Sequence, residues 1–246
     1  MSITRDVTLQ ILAFLFPPVC LACGEVEGIE SLPLGLCSRC RRQLETTRHS
    51  RGPYGQRTSG SALDGWVSGW SYEPPFDAVI HGLKFGRLEF LGQDLADGLH
   101  RLIGDVERNI DVVVPIPLHW HRRLTRGYNQ AEAIAKPLAR QLGLPLVHAL
   151  RRQRRTRPQA RLNRVERETN LRLAFAPRNS QCARIAGQRL LLVDDVITTG
   201  ATLEVAARCL RSQGARSVLG LTAGRTPVPG RSRDVENFDK ELLNSL

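Results

Sequence analysis

One stretch, residues 189–207, constrains the fold more than any other part of the chain. It reads RLLLVDDVITTGATLEVAA. Its first part is a short continuous apolar run, which is typical of a parallel strand buried on both faces. Its last part repeats apolar residues at three- and four-residue spacing, which predicts a helix with one apolar face. The sequence therefore predicts a strand, a small polar loop and a helix.

The small polar loop between that strand and helix is suited to hold a phosphate. The first N–H groups of a helix have no intrahelical partner, and the helix dipole makes that end partly positive. A glycine lets the backbone approach a ligand closely, and threonine hydroxyls add donors. The expected phosphate-binding residues are Thr198, Thr199, Gly200, Ala201 and Thr202. An ordinary strand–turn–helix with a threonine cap is the alternative.

Two adjacent carboxylates, Asp194 and Asp195, stand just before this loop. Carboxylates repel a phosphate, so their expected use is to accept hydrogen bonds from vicinal sugar hydroxyls, with a divalent cation nearby. A loop with phosphate donors on one side and a carboxylate pair on the other fits a ribose 5-phosphate.

The run VDDVITTGATL resembles the phosphoribosyl pyrophosphate (PRPP) signature of type I phosphoribosyltransferases. The resemblance implies an α/β fold with a mainly parallel sheet flanked by helices, and the ligand at the carboxyl ends of the strands. It also implies that PRPP binds with Mg²⁺. Asp194 and Asp195 then hold the ribose hydroxyls as the catalytic pair, and residues 198–202 hold the 5-phosphate.

A second strand, basic loop and helix occurs at residues 112–142. Its run PIPLHWHRRLTRGYNQAEAIA resembles a narrower group, the ComF family of competence-related proteins, which also carries a K-F pair upstream, here Lys84 and Phe85. The resemblance implies that this loop holds pyrophosphate. Arginine side chains grip phosphate oxygens bidentately, so the candidates are Arg122, Arg123 and Arg126, with Lys84 in support. A favourable helix-dipole contact explains Lys84 equally well.

Four cysteines near the N-terminus have metal-ligand spacing: Cys20, Cys23, Cys37 and Cys40. Two C-x-x-C pairs predict one closed, tetrahedral zinc site, and a closed shell makes the zinc structural. A pair of disulfides is the alternative, although nothing in the sequence marks an oxidising compartment. The ComF family also carries a four-cysteine zinc module at its N-terminus.

The segment from residue 151 to residue 172 holds nine arginines. In type I phosphoribosyltransferases this place is taken by a mobile loop that closes over the active site, and a flexible polycation folding onto a polyanion would exclude water. The ComF resemblance adds a contact with the backbone of single-stranded DNA as a second use. Arg152, Arg154 and Arg155 are the candidates; a disordered loop that serves only solubility is the third interpretation.

The net charge of +11, with 35 basic residues of which three are lysines, favours polyanionic partners such as phosphates or nucleic acid. A solvated basic surface is the alternative. No apolar run approaches the roughly 20 residues of a membrane span. Residues 6–16 predict a short amphipathic helix ended by two prolines, without the features of a secretory signal, so we expect a cytoplasmic protein.

The expected organisation is an N-terminal helix and zinc module (1–45), a linker (46–65), a phosphoribosyltransferase-like domain (66–225) and a tail (226–246). Two functions fit this organisation. One is a phosphoribosyltransferase whose acceptor the sequence does not specify, acting in DNA uptake or nucleotide metabolism. The other is a non-catalytic factor that keeps the PRPP site and binds single-stranded DNA for the DNA-uptake machinery.

Overall fold

A sheet of parallel strands forms the centre of the protein. The computed structural model describes residues 19–26, 33–48, 60–103, 109–118, 125–153 and 174–227. Within these residues the strands are β1 (Gly65–Ser71), β2 (Val112–Pro115), β3 (Leu150–Arg152), β4 (Phe175–Pro177), β5 (Arg189–Ile197) and β6 (Ser217–Arg225). The helices are α1 (Ser38–Thr46), α2 (Phe76–Phe85), α3 (Leu91–Ile103), α4 (Gln130–Leu142) and α5 (Ala201–Arg211). Two 3-10 helices cover Pro33–Gly35 and Asn179–Arg184.

The strands of the main sheet lie in the order β1, β6, β5, β2, and each neighbouring pair is parallel. Leu192 of β5 stands opposite Val114 of β2 and Gly220 of β6, so β5 is an inner strand. Its apolar run, residues 190–193, is at most 1% exposed, which confirms the predicted doubly buried strand. The carboxyl ends of parallel strands meet at one edge of a sheet, where open α/β folds bind their ligands.

Helices cover both faces of the sheet. Successive residues of a strand point to opposite faces. Leu191 and Val193 therefore belong to a core cluster with α2, α3 and α4, whereas Leu190 and Leu192 pack with α5 and the antiparallel ribbon of β3 and β4. This layered, mainly parallel arrangement confirms the predicted fold class.

The cysteine-bearing segment packs on the face that carries α2, α3 and α4. Leu36 and Leu44 are fully buried in the same core cluster as those helices. The backbone N–H of Leu34 donates to Asp94 Oδ2 at 2.7 Å, and the Arg48 guanidinium donates to the carbonyl of Gly98 at 3.0 Å. The N-terminal module and the main domain therefore share one core.

Helices α3 and α4 are in close contact at a glycine. A Cβ atom on Gly92 would lie 2.4 Å from the carbonyl oxygen of Ala133 in α4. The helices can therefore pack at this distance only because Gly92 has no side chain.

After α4, the sequence predicts a short strand over residues 146–150, and the structure differs from this prediction. Leu146 bridges to Val113 of β2 in parallel, and the chain then leaves the sheet. Regular strand structure starts again only at Leu150, because β3 pairs with β4 and not with β2.

Several predictions lie outside the described residues, among them the helix at 6–16 and most of the tail. The domain boundaries stay predictions. Among the described residues, no helix combines the length and the apolar character that crossing a membrane would require.

Candidate functional site

The two neighbouring carboxylates lie near the carboxyl end of β5. Asp195 faces α2: its Oδ2 lies 3.1 Å from the Nζ of Lys84, which is in the last turn of that helix. The two side chains are only 15% and 21% exposed. The sequence-predicted Lys84 is thus brought directly onto the acidic pair.

The carboxyl of Asp194 is held near the point of ionisation at neutral pH. Burial, followed by the negative charge of Asp195, raises the pKa of Asp194 to about 7. The N–H of Asp195, which donates to Asp194 Oδ1 at 2.9 Å, and the charges of Lys84 and Arg152 oppose the rise. A divalent cation bound by Asp194 and Asp195 would favour the ionised form of Asp194. The two carboxylates are therefore suited to bind a cation.

The threonine–glycine loop leaves the start of α5 open to a ligand. Gly200 has a φ of 77°, a left-handed conformation that other residues rarely adopt, and α5 begins at the next residue. No side chain caps the helix, and the Thr199 hydroxyl only accepts a long 3.4 Å bond from the N–H of Ala201. Thr198 and Thr199 are exposed. The first N–H groups of α5 are thus available to an anion.

Glu204 is the acidic residue in the first turn of α5, and its carboxylate is turned away from this loop. It accepts hydrogen bonds from the Ser61 hydroxyl at 2.7 Å and from the N–H of Ala62 at 3.0 Å, and it pairs with Arg208 at 2.8 Å. The negative charge of Glu204 is therefore held by the chain that precedes β1 and by its own helix.

The end of the basic loop packs against the end of α2. The Arg126 guanidinium lies 4.9 Å from the centre of the Phe85 ring and donates to Gln130 Oε1 at 3.0 Å. The Tyr128 hydroxyl donates to the carbonyl of Leu83, a contact that the sequence does not single out. Arg126 is therefore positioned against Phe85, the residue that follows Lys84 in the sequence. Arg122 and Arg123 lie outside the described residues.

Of the three arginines predicted for the mobile loop, Arg152 lies within the described residues, whereas Arg154 and Arg155 do not. Arg152 is the last residue of β3, and its guanidinium lies 5.4 Å from the centre of the Phe175 ring. Its charge lowers the pKa of Asp194, so Arg152 lies close enough to act on the acidic pair. Arg178 lies beside this ribbon, and no sequence signal predicted it, because the pairing of β3 with β4 brings it there.

The four cysteines have the geometry of a zinc site. Their sulfur atoms all lie within 4.8 Å of one another, and the Sγ atoms of Cys23 and Cys37 are 3.7 Å apart. A tetrahedral zinc with Zn–S bonds of about 2.3 Å separates its sulfurs by about 3.8 Å. Cys20 and Cys40 complete the set, so the four thiolates fit a structural zinc ion.

Comparisons with known proteins agree with this geometry. Residues 87–223 match the family described as Phosphoribosyl transferase domain, and residues 11–54 match the one described as Double zinc ribbon domain. Competence protein F of Haemophilus influenzae is 31% identical over 201 residues, which is 75% of this chain and 87% of the relative. The DNA utilization protein YhgH of Salmonella typhi is 32% identical and covers 81% of both chains. Competence protein ComFC of Bacillus subtilis is 37% identical over 47% of this chain and 45% of its own.

These matches confirm the resemblance that the motifs indicated. The phosphoribosyl transferase domain match covers more than half of the chain, and the zinc-ribbon match covers the segment that holds all four cysteines. A four-cysteine cluster in a zinc-ribbon segment supports structural zinc. The chain belongs to the phosphoribosyl transferase domain family and, within it, to the ComF family of competence-related proteins.

Proposed function

We propose that the protein binds PRPP with Mg²⁺ at the carboxyl edge of β5 and transfers the phosphoribosyl group to an acceptor. One observation supports this function most strongly. The carboxylate pair, with Lys84 on it, and the open start of α5 lie within a few residues of each other at the sheet edge where such folds bind ligands. An anion and a sugar can then be held side by side.

In this proposal the 5-phosphate of PRPP takes the open start of α5. The N–H groups of residues 200–202 donate to its oxygens, and the hydroxyls of Thr198, Thr199 and Thr202 add further donors. Asp194 and Asp195 accept hydrogen bonds from the two ribose hydroxyls. A sugar fixed at both ends has its anomeric carbon oriented for attack.

The pyrophosphate end of PRPP requires positive charge. Lys84 lies in the last turn of α2, Arg126 packs on the neighbouring Phe85, and Arg122 and Arg123 precede Arg126 in the same loop. The guanidinium groups of the three arginines would hold the phosphate oxygens bidentately, and the ammonium group of Lys84 would add positive charge. Mg²⁺, when bound with PRPP, supplies neutralising charge for the carboxylates and the pyrophosphate oxygens.

The transfer breaks the bond between the anomeric carbon and pyrophosphate and forms a bond from that carbon to the acceptor. Pyrophosphate leaves with the bonding electrons, and the acceptor supplies the new electron pair and loses a proton. Among the described residues around the acidic pair we identify no general base. Catalysis would therefore depend on positioning and on stabilising charge as pyrophosphate departs.

Calorimetric titration of the protein with PRPP in the presence of Mg²⁺ tests the proposal. We expect saturable binding to the wild-type chain and at least a tenfold loss in the Asp194→Asn/Asp195→Asn variant, because the neutral amides no longer attract the cation. The Asp97→Asn variant is the matched control, since Asp97 accepts hydrogen bonds on α3 away from the site. Equal affinity in the wild type and the double variant would exclude this site.

The same titration should depend on pH. Because the pKa of Asp194 is raised to about 7, the carboxyl is mostly protonated below that pH. A cation-dependent ligand needs the ionised form, so affinity should fall by up to about tenfold for each pH unit below 7 and level off above it. A single Asp194→Asn substitution should flatten this profile.

A second function is favoured by the names of the relatives, which refer to competence and to DNA utilization. In this alternative the protein keeps the PRPP site but serves as a non-catalytic single-stranded DNA-binding factor in DNA uptake. The basic charge of +11 is consistent with such a partner.

Turnover separates the two functions. An enzyme should release pyrophosphate from PRPP and Mg²⁺ with at least one member of a panel of bases and nucleotides, and the Asp194→Asn/Asp195→Asn variant should not. The binding factor would be favoured if no member of the panel gives pyrophosphate release and the protein binds single-stranded DNA. That binding should weaken steeply with salt and should fall in the Arg152→Ala/Arg154→Ala/Arg155→Ala variant.

We also propose that the protein acts in the cytoplasm, since four zinc-binding thiolates require reducing conditions. The proposed units are the zinc module (1–45), a linker (46–65), the transferase domain (66–225) and a tail (226–246).

A further inference from the structure

A cleft of about 200 Å³ opens at the carboxyl end of β2, between this strand and the chain that follows Leu146. Pro117 and Leu118 line it after the end of β2, and Asn129 lines it at the start of α4. The opposite side is formed by His148, Leu150, Arg151 and Arg152. Among the described residues, none from β5 or from the loop at 198–202 lines it. The cleft is therefore separate from the carboxylate pair, although both open at the same edge of the sheet.

The cleft carries an excess of positive charge. Arg151, Arg152 and Arg178 all line it. Among the described lining residues the acidic one is Glu132, which lies 3.4 Å from the Nε2 of His148, and the three guanidinium groups outnumber its single charge. Within the described part of the chain, the Arg151 guanidinium has neither a hydrogen bond nor an ion pair. Guanidinium groups that converge in one cleft, with that of Arg151 unpaired among the described residues, are an arrangement that binds an anion.

Two of these arginines are held in place by the ribbon. The Nε of Arg178 donates to the carbonyl of Leu150 at 3.2 Å, and Leu150 pairs with Pro177 across the ribbon. The guanidinium of Arg152 packs over the Phe175 ring. Groups that are already ordered lose less freedom when a ligand binds, so the cleft is preorganised.

We propose that this cleft binds a phosphate group of the acceptor. The planar guanidinium of arginine matches phosphate oxygens bidentately. The volume is smaller than the roughly 300 to 1,000 Å³ of sites that enclose a whole small molecule. The cleft thus takes a phosphate and its adjoining sugar, and the rest of the ligand extends out of it.

The identification of this ligand as the acceptor rests on the proposed function, whereas the phosphate site itself does not. The phosphate belongs to a free nucleotide or to a single strand of nucleic acid, and both present the same group. Arg152 connects the two regions, because it lines the cleft and its charge also reaches Asp194. A phosphate held here would place the acceptor beside the ribose site.

The test measures binding of two probes to the full chain at fixed salt: thymidine monophosphate and a short 5′-phosphorylated oligothymidylate. In the Arg151→Ala/Arg178→Ala variant we expect the Kd of at least one probe to rise tenfold or more. The Arg101→Ala/Arg184→Ala variant removes two exposed arginines elsewhere and should change neither Kd by more than twofold. Arg151→Ala alone should still weaken binding about threefold. The fold should be preserved, because the Arg151 guanidinium has no partner among the described residues.

The outcomes separate the sources of the phosphate. Weaker binding of both probes supports a phosphomonoester of a nucleotide, and weaker binding of the strand alone supports a phosphodiester. For the oligothymidylate, the slope of log K against log[salt] should also become less steep by about 0.7 for each phosphate contact that is lost. No binding of either probe, or equal losses in the cleft and control variants, would overturn the proposal.

PRPP binding is measured on the same proteins. It should stay within twofold of wild type in the cleft variant, and a tenfold loss would overturn the proposal because the cleft would then belong to the PRPP site. A wild-type chain that binds a probe through the cleft but does not bind PRPP would contradict the proposed function alone.

Discussion

Removal of two cysteine ligands should eliminate zinc binding and unfold the N-terminal module. In the Cys20→Ala/Cys37→Ala variant the remaining two thiolates cannot close a tetrahedral shell, and a small module of this kind depends on its metal for folding. Leu36 and Leu44, now fully buried, would be exposed, at a cost of about 2 kcal/mol for each side chain. We expect the melting temperature of the whole chain to fall by roughly 10 °C.

Elemental analysis and thermal melts measure this effect. Wild type should contain one zinc per chain. The Cys182→Ala/Cys209→Ala variant is the matched control, because these two cysteines lie outside the cluster, and it should keep its zinc. A Cys20→Ala/Cys37→Ala variant that retains stoichiometric metal would contradict the assignment of the four ligands.

The Gly92→Ala substitution should destabilise the packing of α3 against α4, although it adds only one methyl group. The new Cβ would lie 2.4 Å from the carbonyl oxygen and 2.6 Å from the carbonyl carbon of Ala133, and both are backbone atoms that cannot rotate away. Helices α3 and α4 would have to separate. Overpacking of this kind costs about 1 to 3 kcal/mol and exceeds the roughly 1 kcal/mol gained when alanine replaces a helical glycine.

Gly82→Ala is the matched control, since it adds the same methyl group to a neighbouring helix. Its Cβ would meet the ends of leucine side chains at 3.1 to 3.3 Å, and these can shift. Denaturant unfolding should therefore show Gly82→Ala near wild type and Gly92→Ala clearly below it. Similar stability of the two variants would mean that the helix crossing is looser than the structure indicates.

The sequence was sufficient to predict the parts of the fold that local patterns determine. Each of these patterns lies within a few residues of the chain: the apolar run of β5, the glycine at the start of α5 and the two cysteine pairs. The structure places them as expected. The order of the strands in the sheet depends on pairings between distant segments. Periodicity therefore could not supply that order, and the family resemblance indicated only that the sheet is mainly parallel.

The candidate site shows the same division. The carboxylate pair and its loop were predictable because one short motif contains them. The contact between Lys84 and Asp195 and the place of Arg178 could not be predicted, since α2 and β4 reach the sheet edge only through tertiary packing. The expected strand at 146–150 was wrong in its extent for a related reason: no local signal shows that β3 pairs with β4 rather than with β2.

The contacts of Glu204 give the chain before β1 a second effect besides stability. An acidic side chain in the first turn of a helix is ordinarily attracted to the free N–H groups there. Ser61 and Ala62 hold this carboxylate to one side. A shortened chain that begins at β1 would lack the contacts that Ser61 and Ala62 make with Glu204. We expect the carboxylate to turn toward the first N–H groups of α5 and to repel an anion there, so the leading segment keeps the start of α5 open.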